Sequence, residues 1–132
     1  MIHNLLEAKG KDDREKVDYH AVPYAIFTHP QIAGVGMKEA DALAAGLKVL
    51  VGRARYMDTA KGVAMNEQNC FVKVILEEET GLILGATVVG SSASELVQQV
   101  VYLMNTEDQD LNPVTKSQVI HQTINEVLVK AF

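Results

Sequence analysis

The sequence predicts an α+β domain in which helices pack on an antiparallel β-sheet. Three observations lead to this prediction: an alternating apolar strand pattern that resumes after a turn, a long amphipathic helix directly behind it, and a length of 132 residues, which suits one domain. Hydrophobic residues make up 48% of the chain, so a core is possible without disulfides or metal ions. Residues 1–21 are interpreted as a linker or the remnant of a preceding domain, and residues 22–132 as the domain itself.

An antiparallel hairpin is the clearest local feature. Residues 69–77 alternate between two faces, residues 78–81 have the chemistry of a turn, and residues 82–89 return as an apolar strand. Two further strands are predicted, at residues 22–28 and 48–56. The two glycines of Gly34-Val35-Gly36 are interpreted as a turn between a strand and the following helix.

Three helices are predicted, the first two from apolar residues at helical spacing and the third from a capping motif at its start. The first covers residues 37–44 and ends at Gly46, the second covers residues 93–104, and the third begins after Thr123. Residues 106–115 are polar, contain a proline and are predicted to form a loop. The predicted order is therefore strand, helix, three strands and two helices.

The two later helices each begin with the spacing of a capping box. In this motif a hydroxyl accepts an early backbone N–H, and a carboxylate three residues later accepts the N–H of the hydroxyl residue. Ser92 and Glu95 have this spacing before the second helix, and Thr123 and Glu126 have it before the third.

Composition and charge exclude several classes of protein. The chain has 12 basic and 17 acidic residues, a balance that argues against nucleic acid as a partner, because phosphate binding needs a basic surface. No apolar run approaches the length of about 20 residues that spans a bilayer, so no membrane partner is expected. The first ten residues are too quickly followed by charges to be a signal peptide, and a cytoplasmic setting is expected.

Sequence signatures of nucleotide, thiol-redox and metal chemistry are missing. The sequence has no G-x-G-x-x-G, P-loop, C-x-x-C or H-E-x-x-H motif, so no cofactor-binding and no metal-ligating residues are assigned. Cys70, the single cysteine, lies on an alternating strand and is interpreted as a small buried hydrophobe. No functional role is predicted for His3, His20 or His29.

His121 differs from the other histidines because Glu126 follows it near a predicted helix start. On a continuous helix the two side chains would point about 140° apart and could not meet. If the helix starts after Thr123, however, Glu126 points back toward His121 and can orient an acid/base imidazole. In the alternative interpretation Glu126 caps the helix with Thr123, and His121 is a surface or interface residue. The spacing alone allows both.

Three blocks of the sequence match a known pattern in the right order. Residues 22–36 (VPYAIFTHPQIAGVG) form the first block, residues 81–96 contain the second, and residues 121–126 (HQTINE) resemble an H-P-T-x-x-E motif. Together these blocks resemble the dimerisation domain of the pyridine nucleotide-disulfide oxidoreductases over about residues 22–128. Within the family the chain is most similar to dihydrolipoamide dehydrogenase.

The resemblance implies a homodimer whose interface is formed largely by this domain. It implies that His121 is a proton shuttle for redox-active thiols in the partner subunit's active site and that Glu126 orients it. It also implies that the full-length enzyme binds FAD and NAD in separate domains of the same chain. The domain alone is then expected to be inactive.

Two points qualify the resemblance. Gln122 stands where the family usually has proline, and a trans bond is expected before it, because a cis bond before a non-proline residue costs about 3 kcal/mol. Residues 56–65 also allow a mycothione or glutathione-type reductase as the parent enzyme.

A separate hypothesis is a stand-alone self-association module. An independent hydrolase using His121 would lack a credible nucleophile.

Overall fold

The computed structural model describes residue 16 and residues 18–132, so His3 and most of the proposed linker lie outside the described residues. The described residues form a five-stranded antiparallel sheet in the order β1-β2-β5-β4-β3, with helices packed on it. The α+β fold class is confirmed. The strands are β1 (Pro23–Ile26), β2 (Ile32–Gly36), β3 (Val49–Arg55), β4 (Phe71–Glu77) and β5 (Ile83–Val89). The helices are α1 (Glu39–Ala44), a 3-10 turn (Tyr56–Asp58), α2 (Ala60–Ala64), α3 (Ala93–Met104), α4 (Asn112–Thr115) and α5 (Asn125–Lys130).

The predicted hairpin is present as β4 and β5, and it forms the centre of the sheet together with β2. The paired strands place a row of small and branched side chains across the core face: Ala33, Val88, Val72 and Ala54. All four residues are buried, as the alternating pattern requires for a sheet with one covered face.

The long helix α3 covers this face of the sheet. Its buried residues recur every three or four positions, and they join the side chains of the sheet in one core cluster. The largest of these α3 residues with almost no exposed surface are Leu96, Val97 and Val100. Among the described residues, no helix is long and apolar enough to cross a bilayer.

The segment Gly34-Val35-Gly36 belongs to strand β2, so its interpretation as a turn was wrong. Val35 is buried in the core, which requires an extended segment at this position. The glycines permit close approaches: a Cβ on Gly34 would lie 2.7 Å from the hydroxyl oxygen of Tyr24, and one on Gly36 would lie 2.3 Å from the carbonyl oxygen of Leu84. Glycine in a strand can therefore mark packing rather than a break.

Three further features differ from the expectations. Ser92 has a left-handed backbone (φ 57) and its side chain makes no capping hydrogen bond, so the box predicted with Glu95 is absent. The 106–115 segment predicted as a loop contains α4, because Pro113 fits the first turn of a helix. The 3-10 turn and α2 were not predicted; the turn ends and α2 begins at Thr59, whose hydroxyl accepts the Gly62 N–H at 3.1 Å.

Helix α5 lies against the core face of β3 and β4. A Cβ on Gly52 of β3 would lie only 1.8 Å from the carbonyl oxygen of Ala131, directly after α5. Val127 and Leu128 of α5 are buried in the same cluster as the α3 residues. The absence of a side chain at Gly52 thus allows the end of α5 to rest on the sheet backbone.

We expect Gly52→Ala to lower the free energy of unfolding by about 1–3 kcal/mol, the usual cost of overpacking a filled site. The added methyl group meets backbone, which can yield only if α5 moves. Urea unfolding monitored by circular dichroism measures the change. Gly34→Ala is the matched control, because the added methyl there meets the Tyr24 side chain, which is 45% exposed and can rotate away. An equal loss of unfolding free energy in the two variants would contradict the proposal that α5 rests on the backbone at Gly52.

Candidate functional site

The structure brings His121 and Glu126 together. Nδ1 of His121 lies 2.9 Å from Oε1 of Glu126. Glu126 is the second residue of α5, whereas His121 lies in the turn before this helix, so the two are not separated by five steps of one helix. The His121 side chain is 68% exposed and that of Glu126 only 17%. The carboxylate is therefore held within the fold and the imidazole projects from it.

The same carboxylate oxygen also accepts the backbone N–H of Thr123, at 3.3 Å. This is one half of the predicted capping box; the hydroxyl of Thr123 donates instead to the carbonyl oxygen of Ile120, at 2.8 Å. The helix cap and the oriented histidine are thus two functions of one carboxylate. The contact expected from each interpretation is present, and the role of His121 stays a prediction.

This arrangement determines which ring nitrogen of His121 is available. An ionised carboxylate can only accept hydrogen bonds, so the ring donates from Nδ1 to Glu126. In the neutral ring Nε2 then carries the lone pair and can accept a proton from an outside group. A histidine fixed in this way is suited to act as a general base and, once protonated, as a general acid.

The bond between His121 and Gln122 is cis, so the expectation of a trans bond was wrong. The expectation considered only the intrinsic preference of a non-proline peptide. In the folded chain this turn is closed by the two hydrogen bonds of Thr123, one to Ile120 and one to Glu126.

Cys70 is 5% exposed, which confirms its interpretation as a buried residue. Its thiol donates to Oε2 of Glu67 at 2.6 Å, and the Ser91 hydroxyl donates to the other carboxylate oxygen. Burial raises the pKa of Cys70 to about 12, and the hydrogen bond to Glu67 and its negative charge act in the same direction. Cys70 is therefore held as a neutral thiol. The role of Glu67 was not predicted, because it lies in a loop without periodicity.

Of the other described histidines, His20 makes two side-chain contacts away from this site. Nε2 of His20 lies 3.0 Å from the carbonyl oxygen of Met104, and Nδ1 lies 2.8 Å from a carboxylate oxygen of Asp18. The Met104 carbonyl raises the pKa of His20, with a further contribution from Asp18. These contacts join the segment before β1 to the end of α3. Within the described residues, no three His, Cys, Asp or Glu side chains are grouped closely enough to hold a metal ion.

The family model described as "Pyridine nucleotide-disulphide oxidoreductase, dimerisation domain" matches residues 22–132. Among similar proteins, a dihydrolipoyl dehydrogenase of Haloferax volcanii is 37% identical over 114 residues, covering 86% of this chain and 24% of that relative. A mycothione reductase of Mycobacterium tuberculosis is 37% identical over 132 residues, covering 98% of this chain and 28% of that relative. The chain thus spans about a quarter of the length of the relatives it matches.

Solved structures give the same picture of the fold. The Cu(II) complex of the HOCl-induced flavoprotein disulfide reductase RclA from Escherichia coli has a TM-score of 0.79 and 26% identity, covering 96% of this chain and 28% of that one. LpdA from Mycobacterium tuberculosis also has a TM-score of 0.79, at 20% identity, covering 89% of this chain and 25% of that one. The second likeness concerns the fold alone.

We expect the Cys70 thiol to react with an aromatic disulfide reagent at pH 8 at least about 100-fold more slowly in the native chain than in urea, because only the thiolate attacks. In the unfolded chain the thiol regains an ordinary pKa and water access. The two rates are read from the absorbance of the released thiol. Comparable native and unfolded rates would show that Cys70 is not held neutral.

We expect Glu67 to make the chain sensitive to acid. Burial opposes ionisation of Glu67, but the hydrogen bonds from Cys70 and Ser91 outweigh it and hold its pKa below the ordinary value. A carboxyl with a lowered pKa in the folded state contributes stability above its unfolded pKa, about 4.3, and this contribution is lost as the pH falls through the folded pKa. Urea midpoints measured from about pH 6 to about pH 3 should therefore fall more steeply for the wild-type chain than for Glu67→Gln. Parallel curves would contradict this sign.

Proposed function

Because the chain belongs to the dimerisation-domain family of the pyridine nucleotide-disulphide oxidoreductases, we propose that it supplies an acid/base pair, His121 and Glu126, to the active site of a partner subunit. The parent enzyme in this proposal is a FAD-dependent, dihydrolipoamide dehydrogenase-like homodimer. Residues 22–132 form the dimerisation domain, residues 1–21 lead from a preceding domain, and the domain is inactive alone.

One observation carries the proposal: a half-buried carboxylate holds an exposed imidazole at 2.9 Å through Nδ1, which leaves Nε2 on the far side of the ring. A histidine that served only as a surface residue would need no fixed tautomer. Because His121 is 68% exposed, its reactive nitrogen requires a second surface to complete a site. A second copy of the chain is the partner that a dimerisation domain provides.

The proposed role of His121 is to move a proton during thiol–disulfide exchange. Nε2 takes the proton of a substrate thiol, and the resulting thiolate attacks one sulfur of a disulfide. A new S–S bond forms, the old S–S bond breaks, and its second sulfur leaves as a thiolate. The imidazolium then returns the proton to a thiolate. Glu126 stabilises the imidazolium and keeps the ring oriented throughout.

Cofactor binding is assigned to other parts of the parent enzyme. The family description names a pyridine nucleotide, and RclA is described as a flavoprotein, which supports NAD and FAD as the cofactors. The flavin would supply the two-electron transfer to or from the thiol pair. None of the residues of this chain is proposed to hold either group. The chain contributes His121, which takes a proton from a thiol and returns it to a thiolate.

A mycothione reductase is the second candidate for the parent enzyme, because that relative aligns with 98% of this chain. The two candidates share the chemistry at His121 and differ in the disulfide they accept. Turnover of the full-length enzyme with lipoamide, mycothione and glutathione disulfides would separate them. Sedimentation of the chain alone tests self-association: a stable dimer would favour the stand-alone module.

We expect His121→Ala to lower the turnover of the full-length enzyme by about 10² to 10⁴, the range for loss of a general acid/base. Flavin content should stay unchanged, because the residue makes no proposed cofactor contact. His29→Ala is the matched control, an exposed histidine of the same chain outside the site. Turnover at the wild-type rate in His121→Ala would remove the acid/base role.

A further inference from the structure

The turn that carries His121 is only partly supported by packed side chains. A cavity of about 390 Å³ lies between this turn, α3 and α4, lined on the turn side by Ile120 and Thr123. Ile120, directly before His121, is 77% exposed. The cavity is open to solvent, so the side chains that line it are packed on one side only. Packing alone therefore leaves the position of this turn weakly determined.

A single side-chain hydrogen bond crosses the rim of this cavity. Nε2 of Gln99 donates to Oδ1 of Asn125 at 2.9 Å, and both residues line the cavity. Gln99 is on α3, between buried residues that anchor the helix to the sheet, including Val100 on its C-terminal side. Asn125 is the first residue of α5 and directly precedes Glu126. The hydrogen bond thus connects a rigid helix to the start of a short one.

We propose that Gln99 and Asn125 are positioning residues for the His121–Glu126 pair. The inference rests on the proposed function of that pair. Gln99 fixes Asn125, the first turn of α5 fixes Glu126 relative to Asn125, and Glu126 fixes the ring of His121. Small displacements of a reacting group lower a rate substantially, because catalysis depends on the geometry of approach. Neither Gln99 nor Asn125 needs to contact substrate for this role.

The other fixed points of α5 lie farther from the site. Val127 and Leu128 pack into the core, and the chain at Ala131 rests on Gly52. These contacts hold the body and the end of the helix. Gln99 instead holds the first residue of α5, Asn125, which is adjacent to Glu126, the residue that orients His121.

The test uses two substitutions of similar shape in the full-length enzyme, Gln99→Met and Asn125→Leu. Each removes the hydrogen bond and retains side-chain volume beside the cavity. We expect kcat to fall about 2- to 10-fold, the factor that corresponds to one net hydrogen bond, with KM unchanged. Flavin content and the melting temperature are measured on the same samples.

Asn125→Asp is the conservative variant. It keeps an oxygen that accepts from Gln99, and a negative charge suits the first turn of a helix. We expect it to retain kcat within about twofold of the wild type, since the hydrogen bond is preserved. Gln98→Met is the matched control, because Gln98 neighbours Gln99 on α3 but does not line this cavity.

The outcomes separate this inference from the function it rests on. If His121→Ala is slow but Gln99→Met and Asn125→Leu turn over at the wild-type rate, the positioning role is overturned and the acid/base role stands. If His121→Ala is unimpaired, the proposed function itself fails. An equal loss in Asn125→Asp and Asn125→Leu, or a change in KM alone, also overturns the positioning role. Should Gln99→Met not fold, the comparison of the two Asn125 variants decides.

Discussion

The close approach of Ala131 to Gly52 is the constraint on which the rest of the site depends. With no side chain at Gly52, the backbone at the end of α5 rests directly on β3, and Val127 and Leu128 reach the common core. The helix is thereby fixed at a set height above the sheet. Glu126, the second residue of α5, takes its height above the sheet from this contact, and His121 lies against Glu126.

The sequence predicts those parts of the fold that periodicity controls. Alternation identifies β4 and β5, and helical spacing identifies α3, because burial on one face imposes each pattern. Tertiary packing decides the positions where prediction fails. Gly34 and Gly36 resemble a turn locally, yet they allow close contacts inside a strand, and no local signal separates these two uses.

The site was predictable as a pair of residues but not as a geometry. A separation of five positions between His121 and Glu126 suits neither a helix nor a strand, so the spacing could not choose between a cap and an oriented histidine. The structure shows that one carboxylate oxygen serves both. The contact between Gln99 and Asn125 joins two helices that are distant in sequence, so no local sequence pattern predicts it.

The neutral state of Cys70 has a consequence for redox selectivity. An enzyme that exchanges disulfides, as proposed here, generates electrophilic sulfur as part of each cycle. A bystander thiolate on the same protein could capture that sulfur and form a dead-end mixed disulfide. Burial of Cys70 and its hydrogen bond to Glu67 suppress this competing reaction. In the proposed enzyme, Cys70 would therefore remain reduced while the substrate thiols exchange.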